Sequence, residues 1–171
     1  TPFVDAERAG RAASRVRGLA EARLRHDPTN SDALELLQRT YELSGDLALS
    51  KEDFDAALRH YRQFAQRTER LYAQDPLNIR RLSMVTQADH GLGDTLRALD
   101  RNADAAAVYG RALDRLESCF SEGLNDPFLM GAAIRIAGKL GLALHAAGLE
   151  DKVESAWRRV LPIGERLVSS G

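Results

Sequence analysis

The feature that most constrains this chain is that it repeats itself. Gly45, Gly93 and Gly141 lie 48 residues apart, and each is followed sixteen residues later by a large aromatic: Tyr61, Tyr109 and Trp157. Twelve residues after each glycine stands Ala57, Ala105 or Val153, and eight after each aromatic stands Glu69, Glu117 or Glu165. A period of this length marks an array of supersecondary units, each of which buries its apolar face against the next. Three Asp-Pro pairs, Asp27-Pro28, Asp75-Pro76 and Asp126-Pro127, punctuate the chain at spacings of 48 and 51. The longer spacing reads as a helix before Asp126 that runs three residues longer, followed by one three residues shorter.

Each unit divides into two helices. The chain holds 26 Ala and 25 Leu against 17 Val, Ile and Thr together, which is helix usage and not sheet usage. In the first unit Leu34, Leu37, Tyr41 and Ala48 form one stripe behind an N-cap at Ser31 or Asp32. Ala57, Tyr61, Phe64, Ala65, Leu71 and Tyr72 form the second stripe, with Ser50 and Asp53 as a capping pair. Proline closes the unit, because the residue before it is driven out of helical geometry and Pro suits the start of the next helix. Helices are predicted near 6–25, 32–49, 52–73, 78–99, 103–122, 128–146 and 150–169. No segment alternates as a strand would, so the expected fold is all-α, about seven helices in antiparallel pairs. The whole of 1–171 reads as a single domain: a lone helix over 1–26, then repeats over 27–74, 75–125 and 126–171. Glu21 precedes Pro28 as Glu69 precedes Pro76, so the first helix reads as the second half of a partial repeat. On this expectation the chain is three and a half repeats of a longer array, and its first helix presents an edge. Pro162 falls inside the last helix and should bend or break it.

The set Gly45-Ala57-Tyr61, Gly93-Ala105-Tyr109 and Gly141-Val153-Trp157 resembles the core of the tetratricopeptide repeat. The match is to the long-helix variant of bacterial arrays, with Gly45-Asp46 in the first helix, Ala56 to Tyr61 in the second, and Glu69-Arg70-Leu71 before Asp75-Pro76. The family's aromatic four residues before the glycine is met by Tyr41, whereas Asp89 and Ala137 stand there in the other units. The resemblance implies a right-handed α-solenoid whose first helices line a groove that binds a peptide or protein surface and performs no chemistry. Carried over position by position, the groove residues are Arg39, Gln87 and Arg135 six before the glycine, and Glu42 and His90 three before it. Asp46 and Asp94 follow one after it, and Arg97 and His145 four after it. The paired Lys and Asn with which some members clamp a C-terminal carboxylate are absent, so a chaperone-tail receptor is not implied.

The remaining residues mostly exclude. Twenty-four Lys and Arg against 25 Asp and Glu leave a net charge of −1, which is not tuned for nucleic acid. Residues 1–26 carry six Arg, with Arg8, Arg11 and Arg15 on one face, but no aromatic interleaves with them. A solvated face is expected there, not an RNA site. Cys119 is the sole cysteine, which excludes an internal disulfide, and its position among apolar equivalents suits a buried small side chain. His26, His60, His90 and His145 lack ligand spacing, and Gly91-Leu92-Gly93 lies in a helix with no strand before it. No catalytic residue, metal or cofactor is therefore expected. Residues 128–149 are about as long as a membrane span, yet Arg135 and Lys139 near the middle would each cost about 2.5–3.5 kcal/mol at a bilayer centre. A buried inner helix without membrane insertion is the expectation. The apolar run of a secretory signal is missing from residues 1–26, which points to the cytoplasm, and 21 Arg against 3 Lys point to a bacterial source. Together these readings lead to a non-catalytic protein–protein interaction module, a scaffold or recruiter within a larger bacterial protein. The alternative is a regulatory ligand-sensing or oligomerisation domain attached to an enzyme such as a kinase or protease, with self-association through repeat edges.

Overall fold

In the computed structural model the chain is described over residues 2–169, with side chains from Arg8 onward. Residues 1, 170 and 171, at the ends of the lone helix and of the third repeat, lie outside that description. Seven α-helices occupy the described residues, with no strand among them: α1 (Pro2–His26), α2 (Ser31–Ser50), α3 (Phe54–Gln74), α4 (Ile79–Ala98), α5 (Asn102–Ser121), α6 (Pro127–Ala146) and α7 (Glu150–Ser169). They form two compact units, one over residues 1–64 and the other over 65–171.

The local causes of this order recur at 48 residues. Asn30, Asn78 and Asp126 each accept a hydrogen bond from the backbone N–H three residues on, at 3.0, 3.2 and 3.0 Å, which satisfies one of the orphan donors of a helix start. The sequence expectation of a cap at Ser31 or Asp32 is thus corrected to Asn30, one residue earlier. Each first helix ends on a left-handed residue, Glu52, Asp100 or Gly148, with φ of 58, 55 and 71°. The next N–H reaches back to the carbonyls of Ala48, Leu96 and Leu144, closing the last turn. Asp53 then caps α3 alone, accepting from the Ala56 N–H at 3.0 Å, while the Ser50 hydroxyl bonds the Leu47 carbonyl inside α2.

The 51-residue spacing has a different origin from the one expected. α4 and α6 are both 20 residues long and start 48 apart, so neither helix has changed length. Asp126 is itself the cap, whereas Asp75 lies three residues before its cap, Asn78. No residues are added: one period after Asp75 stands Gly123, which at φ 88° breaks α5, and Leu124 N–H bonds the Cys119 carbonyl. Pro162 likewise does not break α7, which runs through it to Ser169. The proline removes one N–H, but Val160 and Ile163 on either side are buried and hold both halves to one helix.

Within the first unit Leu34, Leu37, Tyr41, Ala57, Tyr61 and Phe64 are buried, and the Tyr41 and Phe64 rings stack with centroids 5.3 Å apart. The second unit buries Leu82, Val85, Tyr109, Leu113, Leu116, Leu129 and Ile136 where α4 to α7 pack in succession. The glycine–aromatic pairing closes a helix pair in each. A Cβ on Gly45 would lie 2.3 Å from the Tyr61 ring and one on Gly93 2.4 Å from the Tyr109 ring, so a side chain at either position would displace the ring. The third pair is looser, with 3.2 Å from Gly141 to Trp157 Nε1. Helix α6 is long and apolar enough to cross a membrane by length and composition, and 56% of that window is buried in its unit.

Candidate partner-binding face

The nine positions singled out from the sequence all lie on first helices, but they do not share one environment. In the first unit Arg39 is mostly exposed and pairs with Glu35 at 2.6 Å, one turn away. Glu42 accepts from the Gln38 amide at 3.4 Å, and burial holds its carboxyl above the usual range. Asp46 accepts the Tyr61 hydroxyl at 2.7 Å.

That last contact recurs in the second unit and explains the Asp beside the glycine. Asp94 accepts the Tyr109 hydroxyl at 2.5 Å and two bonds from the Lys139 ammonium at 2.8 and 2.9 Å. Burial opposes the charged form of Asp94, but the bonds from Lys139 and Tyr109 outweigh it and hold its carboxyl below the usual range. Burial, and then the Asp94 carboxylate, push the Tyr109 hydroxyl far above the usual range for tyrosine, so it is a donor at any working pH. Asp46 and Asp94 therefore spend their carboxylates on anchoring the ring that closes each helix pair. The third repeat lacks the device, with Leu142 and Trp157 at those places. Arg97 lies beside Tyr109 with its Nε buried and without a partner, and His145 is exposed with Nδ1 2.5 Å from Glu150 Oε1.

Gln87, His90 and Arg135 are brought together. They line a cleft of about 140 Å³ between α4 and α6, with Ser83, Thr86, Phe128, Leu129, Ala132 and Ile136. The helix period puts Ser83, Thr86, Gln87 and His90 on one face of α4, while Phe128, Leu129, Ala132, Arg135 and Ile136 come from the facing side of α6. Leu129, Ala132 and Ile136 form a buried apolar wall, and Phe128 is 60% exposed. His90 Nε2 lies 3.6 Å from Asp94. No carboxylate lines the cleft. The arrangement offers donors and an aromatic surface, with neither a nucleophile beside a base nor, among the described residues, a cluster of three or more metal-ligating side chains.

Sequence reasoning missed two things. Ser83, Thr86 and Phe128 lie on the same face as the transferred positions, and extending the α4 and α6 stripes by one turn would have found them. Asp89 stands on the apolar stripe where Tyr41 stands in the first unit, and it is buried. It accepts from Arg111 at 3.1 Å and from Arg115, which also pairs with Glu69. An Asp at a core position was the signal, but its two partners lie 22 and 26 residues away and only packing reveals them. Cys119 is buried, with Sγ 3.3 Å from the Pro76 carbonyl, and burial pushes its thiol up. It sits as an inert core side chain.

No family model matches the chain, and no curated protein matches it. Among solved structures, BtubC (BKLC) from P. vanneervenii superposes with a TM-score of 0.70 at 23% identity, over 95% of this chain and 58% of that one. The likeness is one of fold, and the chain spans little more than half the length of the protein it matches.

Proposed function

We propose that this chain is a non-catalytic protein-interaction module of the tetratricopeptide-repeat type, part of a larger bacterial cytoplasmic protein, and that it docks a partner segment on its first helices. One observation carries the reading. Gln87, His90 and Arg135, chosen from the sequence as groove positions, converge on a cleft between α4 and α6 beside the exposed Phe128. Helix pairs closed by the Gly93–Tyr109 contact make the rigid wall that such a surface needs, since a preformed site loses little entropy on binding. A built recognition surface without reacting groups is suited to binding and not to turnover.

The test is capture. With the chain as bait, a partner that cross-links to it should be lost when Gln87, Phe128 and Arg135 are all replaced by Ala, with far-UV circular dichroism unchanged. Equal capture by wild type and triple variant would move the binding surface elsewhere.

A further inference from the structure

The α4–α6 cleft holds more hydrogen-bonding capacity than the protein itself uses. Among the described residues Ser83, Gln87 and Arg135 have no hydrogen-bond or ion-pair partner, and the Thr86 hydroxyl is buried without one. Thr86 stands apart from every other buried hydroxyl residue here. Thr40, Ser44, Thr68 and Thr95 bond back to a carbonyl three or four residues earlier, at 2.8, 2.7, 3.2 and 2.8 Å. Thr86 is 5% exposed and does not. A buried hydroxyl left unbonded is costly, and such groups call for a specific explanation.

Charge points the same way. Several other cations of this unit are committed to acids: Lys139 to Asp94, Arg115 to Asp89 and Glu69, Arg111 to Asp89 and Arg159 to Glu117. Arg135 has no such acid, and none lines the cleft. Its guanidinium fork matches a carboxylate with two parallel N–H donors. The volume of about 140 Å³ has room for one side chain, not for a folded surface.

Resting on the reading that this face docks a partner segment, we propose that the cleft takes a Glu or Asp side chain of an extended peptide. Arg135 grips the carboxylate, Gln87 and the Ser83 and Thr86 hydroxyls supply the remaining donors, and an apolar neighbour of the acid lies on Phe128. A phosphate carries about −1.5 to −2 charges and is met by clustered arginines, whereas this cleft presents a single one.

Three synthetic pentapeptides test this: Ser-Leu-Glu-Leu-Ser with blocked ends, its Gln counterpart and its phosphoserine counterpart, each titrated into the isotope-labelled chain and followed by amide chemical shifts. The Glu peptide should shift amides in 83–90 and 128–136, and bind at least tenfold more tightly than the Gln peptide. Arg135→Ala should remove that preference, and Arg135→Lys should retain part of it. Equal binding of the Glu and Gln peptides at this face overturns the carboxylate inference and leaves the docking reading standing. Tighter binding of the phosphoserine peptide by tenfold or more also overturns it, in favour of a phosphate site. If no peptide shifts these amides at millimolar concentration the inference fails, and the docking reading is then judged by the cross-linking of the triple variant.

Discussion

Replacing Gly93 by Ala separates local propensity from packing. Gly93 lies inside α4, where helix propensity alone would have alanine stabilise the protein by about 1 kcal/mol. Packing predicts the opposite sign. The new Cβ would fall 2.4 Å from Cε1 and 2.5 Å from Cζ of Tyr109, where carbon atoms rest about 3.5–4.0 Å apart, so the ring must retreat by about 1 Å. That ring is fully buried and tethered by its hydroxyl to Asp94 at 2.5 Å. Overpacking of this kind costs about 1–3 kcal/mol, and losing a hydrogen bond to a charged acceptor about 1.5–3 kcal/mol. After subtracting the propensity gain, the expected destabilisation is about 2–5 kcal/mol. In urea unfolding followed by circular dichroism the midpoint should fall by about 1–2 M at unchanged slope. Gly110→Ala in α5 is the calibration, because its Cβ meets nothing within 4 Å and should stabilise by up to about 1 kcal/mol. Gly141→Ala, 3.2 Å from Trp157 Nε1, should lie between them. If Gly93→Ala tracks Gly110→Ala instead, the contact of ring on glycine is not what closes the helix pair and the reasoning fails.

Three further outcomes follow from the same structure. Asp89→Ala should destabilise by about 3–5 kcal/mol in calorimetry, because it strips a buried carboxylate from Arg111 and from the nine-tenths buried Arg115. Asn78→Ala and Asp126→Ala should each cost about 1 kcal/mol through lost caps, whereas Asp32→Ala should change stability by less than about 0.5 kcal/mol. Asp94 has a carboxyl held below its usual range, so its ionised form contributes stability above the unfolded value of about 3.9, and that contribution is lost as pH falls through the folded value. Asp94→Asn should therefore be less stable than wild type at neutral pH, with the gap closing below about pH 4 in acid unfolding curves.

The helices were legible because their determinants are local. The stripes of Leu34, Leu37 and Tyr41, the 48-residue recurrence and the scarcity of β-branched residues act within a few turns of chain, and five of the seven helices start within one residue of the sequence prediction, while α1 starts four residues earlier and α3 two later. The misreadings came from treating Asp-Pro as the repeat boundary. Helix starts are set by whichever side chain can reach the third N–H, and Asn30, Asn78 and Asp126 do this at a strict interval of 48. The candidate site was one-third legible: three of nine transferred positions converge on the cleft, while Asp46 and Asp94 hold tyrosines.

The sequence by itself determined the architecture of this protein: all-helical pairs, with a glycine facing an aromatic in each. It could do so because periodicity and small-residue spacing are properties of one helix or one hairpin. Tertiary structure alone decided which polar groups are spent and which are free. Lys139 reaches Asp94 across 45 residues, and Arg115 reaches Asp89 across 26, so those charges close on each other. Arg135, Gln87, Ser83 and Thr86 meet no such partner. Hydrogen bonding is satisfied in three dimensions, by groups whose proximity the order of residues does not encode locally, and an unmet remainder lies between α4 and α6.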